Sequence, residues 1–136
     1  MNERRIFEAK RDRLPDLMAF VDDFAQRAGL PPKLGLQVQL AVEEAVVNIC
    51  DYAYLTPPGE VDIRLEQDGD RLTLELRDQG VPFDPLAADA SDRHSALDDR
   101  KLGGLGIFLM GKVVDEVHYR REDGVNVLTM RLTTPR

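Results

Sequence analysis

Residues 60–78, EVDIRLEQDGDRLTLELRD, alternate apolar and polar side chains on both sides of an Asp68-Gly69 pair. Successive side chains of a strand point to opposite faces, so Val61, Ile63 and Leu65 share one face, and Leu72, Leu74 and Leu76 share it on the return. A second hairpin follows the same rule, with Val117 and Tyr119 before a turn at Asp123-Gly124 and Leu128, Met130 and Leu132 after it. Two hairpins with one apolar face each require a covering layer.

Helices supply that layer. From Pro15, the residues Leu17, Phe20, Val21, Phe24 and Ala28 recur at helical spacing until Gly29 stops them. PPKLGLQVQLAVEEAVVNICDYAYL opens on prolines suited to a first turn and carries Leu34, Val38, Ala41, Val42, Ala45, Val46 and Ile49 on one arc, which predicts a long core helix ending before Pro57. A third helix is expected in the apolar run after the glycines of GGLGIFLMGK, and RRIFEAK reads as an edge strand. The expected fold is α+β, a two-layer α/β sandwich with helices on one face of a mainly antiparallel sheet, forming a single domain over residues 1–136. Between Phe83 and Leu102 lies an irregular, charge-mixed segment, longer than most connections in compact domains and therefore a candidate functional loop.

A formal net charge of −7 argues against a grip on nucleic-acid phosphates. The N-terminal stretch is mostly charged and no run of 18 apolar residues occurs, so the expectation is a cytoplasmic protein with no membrane partner. Cys50 is the single cysteine and, with only His94 and His118 beside it, leaves no Cys/His metal cluster; its apolar helical setting makes it a small core residue.

Three groupings carry chemistry. On the long helix Glu44 and Asn48 stand one turn apart on one stripe, with Asp51 a further turn on. Asn48 could bond a neighbouring loop or offer its amide oxygen to Mg²⁺. Glu44 could take a proton from an attacking hydroxyl. At the end of the second strand of the first hairpin, Asp78 could cap a turn at Gly80 or accept a hydrogen bond from a purine amino group, with Phe83 covering the pocket. Gly103, Gly104 and Gly106 precede a helix and could form a tight turn or admit phosphate to the backbone. Asn126 falls on the inward face with Leu128, Met130 and Leu132 and needs a partner, either a neighbouring turn or a bound ligand.

In order, EEAVVN, DQGVPF, a long loop and GGLGIFLM resemble the three boxes of the histidine-kinase-like ATP-binding fold. The resemblance is closest to the bacterial anti-sigma serine kinases and runs from the first strand to Leu132. It implies ATP and Mg²⁺ as cofactors, with Asn48 on the metal, Glu44 as general base and Asp78 on the adenine amino group. Residues 84–102 would be the ATP lid and Gly103, Gly104 and Gly106 its hinge. The helix start, Leu105 and Ile107 included, would face the phosphates, Lys101 would contact a phosphate, and Asn126 would face the adenine pocket. Such kinases phosphorylate a serine of a STAS-domain anti-anti-sigma protein and alternately hold a sigma factor, often as homodimers. Tyr52 and Ala53 depart from the histidine-glycine pair common after the first box. Two rival readings are a non-catalytic, nucleotide-dependent interaction module and a detached histidine kinase catalytic domain, the latter needing a phosphoacceptor histidine that His94 and His118 do not supply.

Overall fold

The computed structural model describes residues 1–53, 59–82 and 114–134. Its elements are β1 (Asn2–Glu8), a 3₁₀ turn (Arg11–Arg13), α1 (Leu14–Arg27), α2 (Pro32–Asn48), a π-helical turn (Ile49–Ala53), β2 (Glu60–Asp68), β3 (Arg71–Asp78), β4 (Glu116–Glu122) and β5 (Val125–Thr133). The strands form one sheet in the order β1-β2-β3-β5-β4, with every pairing antiparallel. β1 is an edge strand, as RRIFEAK suggests. β5 returns from the β4 edge to pair with β3, so the end of β3 and the start of β5 lie side by side, with Asp78 opposite Asn126.

Each helix begins and ends for a local reason. Pro32 occupies the first turn of α2, where its missing N–H costs nothing. α1 ends in a Schellman motif: the Leu30 N–H donates to the Ala25 carbonyl and the Gly29 N–H to Gln26, both at 3.1 Å. Gly29 takes the left-handed conformation the motif requires, at φ 78°.

Both hairpins form, with one correction. The first turn is Gly69-Asp70, not Asp68-Gly69, since Asp68 pairs with Arg71 across the strands. Gly69 alone has positive φ there, 62°, so the glycine takes the first central position and Asp68 is left to the ladder. At the second turn Asp123 and Gly124 have φ of 52° and 79°, which suits a two-residue loop following the strand twist.

One core joins the layers: Leu17, Val21 and Phe24 of α1 and Val38, Val42 and Val46 of α2 meet Ile63, Leu74 and Met130 of the sheet. Phe7 of β1 packs on Phe20 with ring centroids 5.9 Å apart, and Cys50 lies partly buried against the same core. Leu74, 2% exposed, sits between Leu65 and Met130 in register. Truncating it to Ala should remove about 2–5 kcal/mol, read as a lower urea midpoint with an unchanged slope.

Candidate functional site

The C-terminal end of α2 carries the first group. Asn48 lies on the buried arc of the helix, 6% exposed, and Glu44, one turn earlier, is half-buried beside it. Burial pushes the Glu44 carboxyl from its ordinary value near 4.5 up to about 7. The Asn48 amide opposes that rise, Glu43 and Asp51 add to it, and Arg11 opposes it. Glu44 Oε1 and Asn48 Nδ2 are both buried and neither makes a hydrogen bond of normal geometry, although the amide stands close enough to favour the Glu44 carboxylate. Buried polar atoms left unpaired on adjacent side chains mark this end of α2 as a candidate ligand site.

Directly after Asn48 the α-helical hydrogen-bond pattern widens into the π-helical turn, a distortion common beside functional sites. Asp51 of this turn accepts two hydrogen bonds from the Arg11 guanidinium, at 3.1 and 2.6 Å, and so ties the turn to the segment before α1. The pair is absent from any local pattern, because its members are 40 residues apart.

The second group sits where β3 ends. Asp78 continues the core-facing row of Leu72, Leu74 and Leu76 and is 6% exposed. Its Oδ1 accepts from the Gly80 N–H at 3.0 Å and from Asn126 Nδ2 at 2.9 Å. The first of these closes an Asx-type turn, so the chain reverses through the Asp78 side chain and Gly80 has no left-handed φ. Burial raises the Asp78 carboxyl, while Asn126, the Gly80 N–H and Arg121 each favour the ionised form.

Asn126, 4% exposed, finds its partners in the protein. Besides Asp78, its Nδ2 donates to the Val81 carbonyl at 2.8 Å, and its Oδ1 accepts from the Tyr119 hydroxyl and from Arg121 Nη1 at 3.1 Å. The same Arg121 nitrogen donates to the Gly80 carbonyl at 2.7 Å. All donors and both lone pairs of the amide are used, so the neighbouring turn is the partner that its inward position calls for. From the sequence Tyr119 reads only as part of the apolar face of its hairpin, and Arg121 carries no assigned role. A signal for Arg121 existed: a two-residue loop at Asp123-Gly124 puts position 121 directly opposite 126.

Phe83, Lys101, Gly103, Gly104, Leu105, Gly106 and Ile107, together with the 84–102 segment and the run expected to form a third helix, lie outside the described residues, as do the side chains of Tyr52 and Ala53. Beside β1, β2 and the end of β3 there is an open concavity of about 720 Å³, lined by Arg4, Asp62, Arg64, Arg77 and Asp78 among others. Its arginines are already committed: Arg4 and Arg64 pair with Asp62, and Arg77 with Glu75. A phosphate seated there would compete with those pairs; among the described residues Arg64 Nε is the one buried side-chain atom of the lining without a partner, whereas the α2 end carries two such atoms on adjacent side chains.

Residues 7–132 match the histidine kinase-like ATPase domain family. The chain belongs to that family. Its sequence is 31% identical over 117 residues to the serine/threonine-protein kinase BtrW of Bordetella bronchiseptica, covering 85% of this chain and 82% of that one. Over 113 residues it is 34% identical to the serine-protein kinase RsbW of Bacillus licheniformis, covering 74% and 70%. In fold it is similar to the histidine kinase AdeS of Acinetobacter baumannii, at TM-score 0.53 and 13% identity over 98% of this chain and 68% of that one. The expected two-layer fold of this histidine kinase-like ATPase domain is the one observed, and no helix among the described residues is long and apolar enough to cross a membrane.

Proposed function

We propose that this histidine kinase-like ATPase domain is an ATP-dependent protein-serine kinase of the anti-sigma type, which phosphorylates a serine of a STAS-domain anti-anti-sigma protein and alternately sequesters a sigma factor. The observation that carries the reading is the pair of buried, unpartnered polar atoms on Glu44 and Asn48, at the end of the helix that bears the first box. Relatives with serine-protein kinase in their names support the acceptor class.

In this reading Asp78 receives the adenine amino group, and the α2 end receives the phosphates. Asn48 would hold Mg²⁺, which when bound neutralises phosphate charge. Glu44 accepts the proton of the serine hydroxyl; the serine oxygen forms its bond to the γ-phosphorus, the bond from that phosphorus to the β-bridging oxygen breaks, and ADP leaves. A carboxyl raised to about 7 suits this work, since it can ionise near neutral pH and is then basic enough to take the proton. The 84–102 segment would close as a lid over the nucleotide, with Phe83, Lys101 and the glycines at 103, 104 and 106 around it. Cytoplasmic location and homodimer formation belong to the same proposal.

The test is incubation of the protein with γ-labelled ATP, Mg²⁺ and a STAS-domain protein from the same genome. Label on a serine of the STAS protein is the expected result. Nucleotide binding with no transfer would make the chain a nucleotide-dependent interaction module. Label on a histidine of a partner would make it a detached histidine kinase domain.

A further inference from the structure

The Asn126 amide is held from four sides. Tyr119 and Arg121 of β4 fix its oxygen, and Asp78 and Val81 receive its two N–H groups. Rotating the amide by half a turn would set its oxygen against the Asp78 carboxylate and the Val81 carbonyl, so only one orientation is tolerated. That orientation has a consequence for Asp78. Oδ1 is fully occupied by Asn126 and the Gly80 N–H, while no hydrogen bond engages Oδ2 among the described residues. Among the described residues the carboxylate therefore has one oxygen anchored and the other without a protein donor.

We propose that Asn126, clamped by Tyr119 and Arg121, is a positioning residue that sets how strongly the site selects a 6-amino purine over a purine lacking that group. The inference rests on the assignment of Asp78 to the adenine amino group, and it adds three residues of the β4-β5 hairpin to that assignment. A hydrogen bond to a charged acceptor discriminates well only if the acceptor is held in place, because a carboxylate free to rotate finds water or a backbone N–H instead. Arg121 reinforces the arrangement by pinning the Gly80 carbonyl, which keeps the Gly80 N–H on Asp78. The hairpin thus acts as a brace behind the base-reading carboxylate without touching the base.

The experiment compares dissociation constants for ATP and for purine riboside triphosphate, which lacks only the 6-amino group, by calorimetric titration. It uses the full chain and its Tyr119→Phe and Asn126→Leu variants, with thermal midpoints measured in parallel. The wild type is expected to favour ATP by about tenfold or more, the worth of one hydrogen bond to a charged group. In both variants the preference should shrink to within about threefold, with the purine riboside triphosphate affinity nearly unchanged, since the clamp acts only on the amino-group contact. Tyr119→Phe keeps the ring and removes one hydroxyl, so a residue of purely structural importance would lower the thermal midpoint and leave the ratio alone. A wild-type preference retained in full by Tyr119→Phe and Asn126→Leu overturns the clamp while leaving the Asp78 assignment standing. A wild type that binds the two nucleotides equally overturns both.

Discussion

Glu44→Gln is expected to bind ATP with an affinity within about threefold of the wild type and to lose phosphoryl transfer by about 10²–10⁴-fold, the range for removing a general base. The amide is nearly the same size and cannot accept the serine proton, so only the chemical step suffers. A pH profile supplies an independent check. Because only the ionised carboxylate acts as base, single-turnover transfer in the wild type should rise with pH up to about 7 and then level.

The same substitution should stabilise the protein in alkaline conditions. The folded pKa of Glu44 is raised above its unfolded value, so the native state holds the proton more tightly than the unfolded chain. Its contribution is fully present below pH 4.5 and is lost as pH rises through about 7. At pH 8 the charged side chain costs the fold about 1–2 kcal/mol, after discounting the full shift for partial solvent screening. Glu44→Gln removes that cost, so its thermal midpoint should exceed the wild-type value at pH 8, and the difference should shrink toward pH 4.5. A midpoint difference that does not vary with pH would show that Glu44 is not desolvated.

Asn48→Ala should carry the second large effect, on binding. The wild-type affinity for ATP is expected to increase on adding Mg²⁺; in the variant that increase should vanish, lowering affinity at millimolar Mg²⁺ by roughly a hundredfold, since a lost metal ligand removes most of the metal's contribution. The fold should survive, because deleting Nδ2 breaks no hydrogen bond of normal geometry and removes only the amide's favourable effect on the Glu44 carboxylate. Titration with and without Mg²⁺ reads the effect directly. A variant that keeps the metal-dependent gain would detach Asn48 from the metal.

How much of this was legible in the sequence depends on whether the cause was local. The α1 stop at Gly29, the proline start of α2 and the alternation of Leu72, Leu74 and Leu76 are set by near neighbours, and each appears where the pattern puts it. The first turn slipped by one residue because Asp68-Gly69 and Gly69-Asp70 are both acceptable turn pairs, and cross-strand register decides between them. Strand order was beyond reach: β5 joins β3, and β4 goes to the edge, through a connection of more than 30 residues. At the candidate site, the shared stripe of Glu44 and Asn48 and the strand-end position of Asp78 were legible from helical phase and alternation. Arg11 on Asp51 was not, since side-chain pairing across 40 residues leaves no periodic trace, and Tyr119 on Asn126 is a diagonal contact within one hairpin that alternation permits but does not specify. The raised pKa of Glu44 arises mainly from desolvation, which only the packed fold imposes.

A crystal structure of the protein with Mg²⁺ and a non-hydrolysable ATP analogue tests the central claim most directly. The account predicts the adenine amino group on Asp78, the metal ion on Asn48 and the γ-phosphate beside Glu44, all on the helix side of the sheet. Nucleotide found instead in the open concavity by Arg4 and Asp62, with Glu44 and Asn48 left untouched, would contradict it.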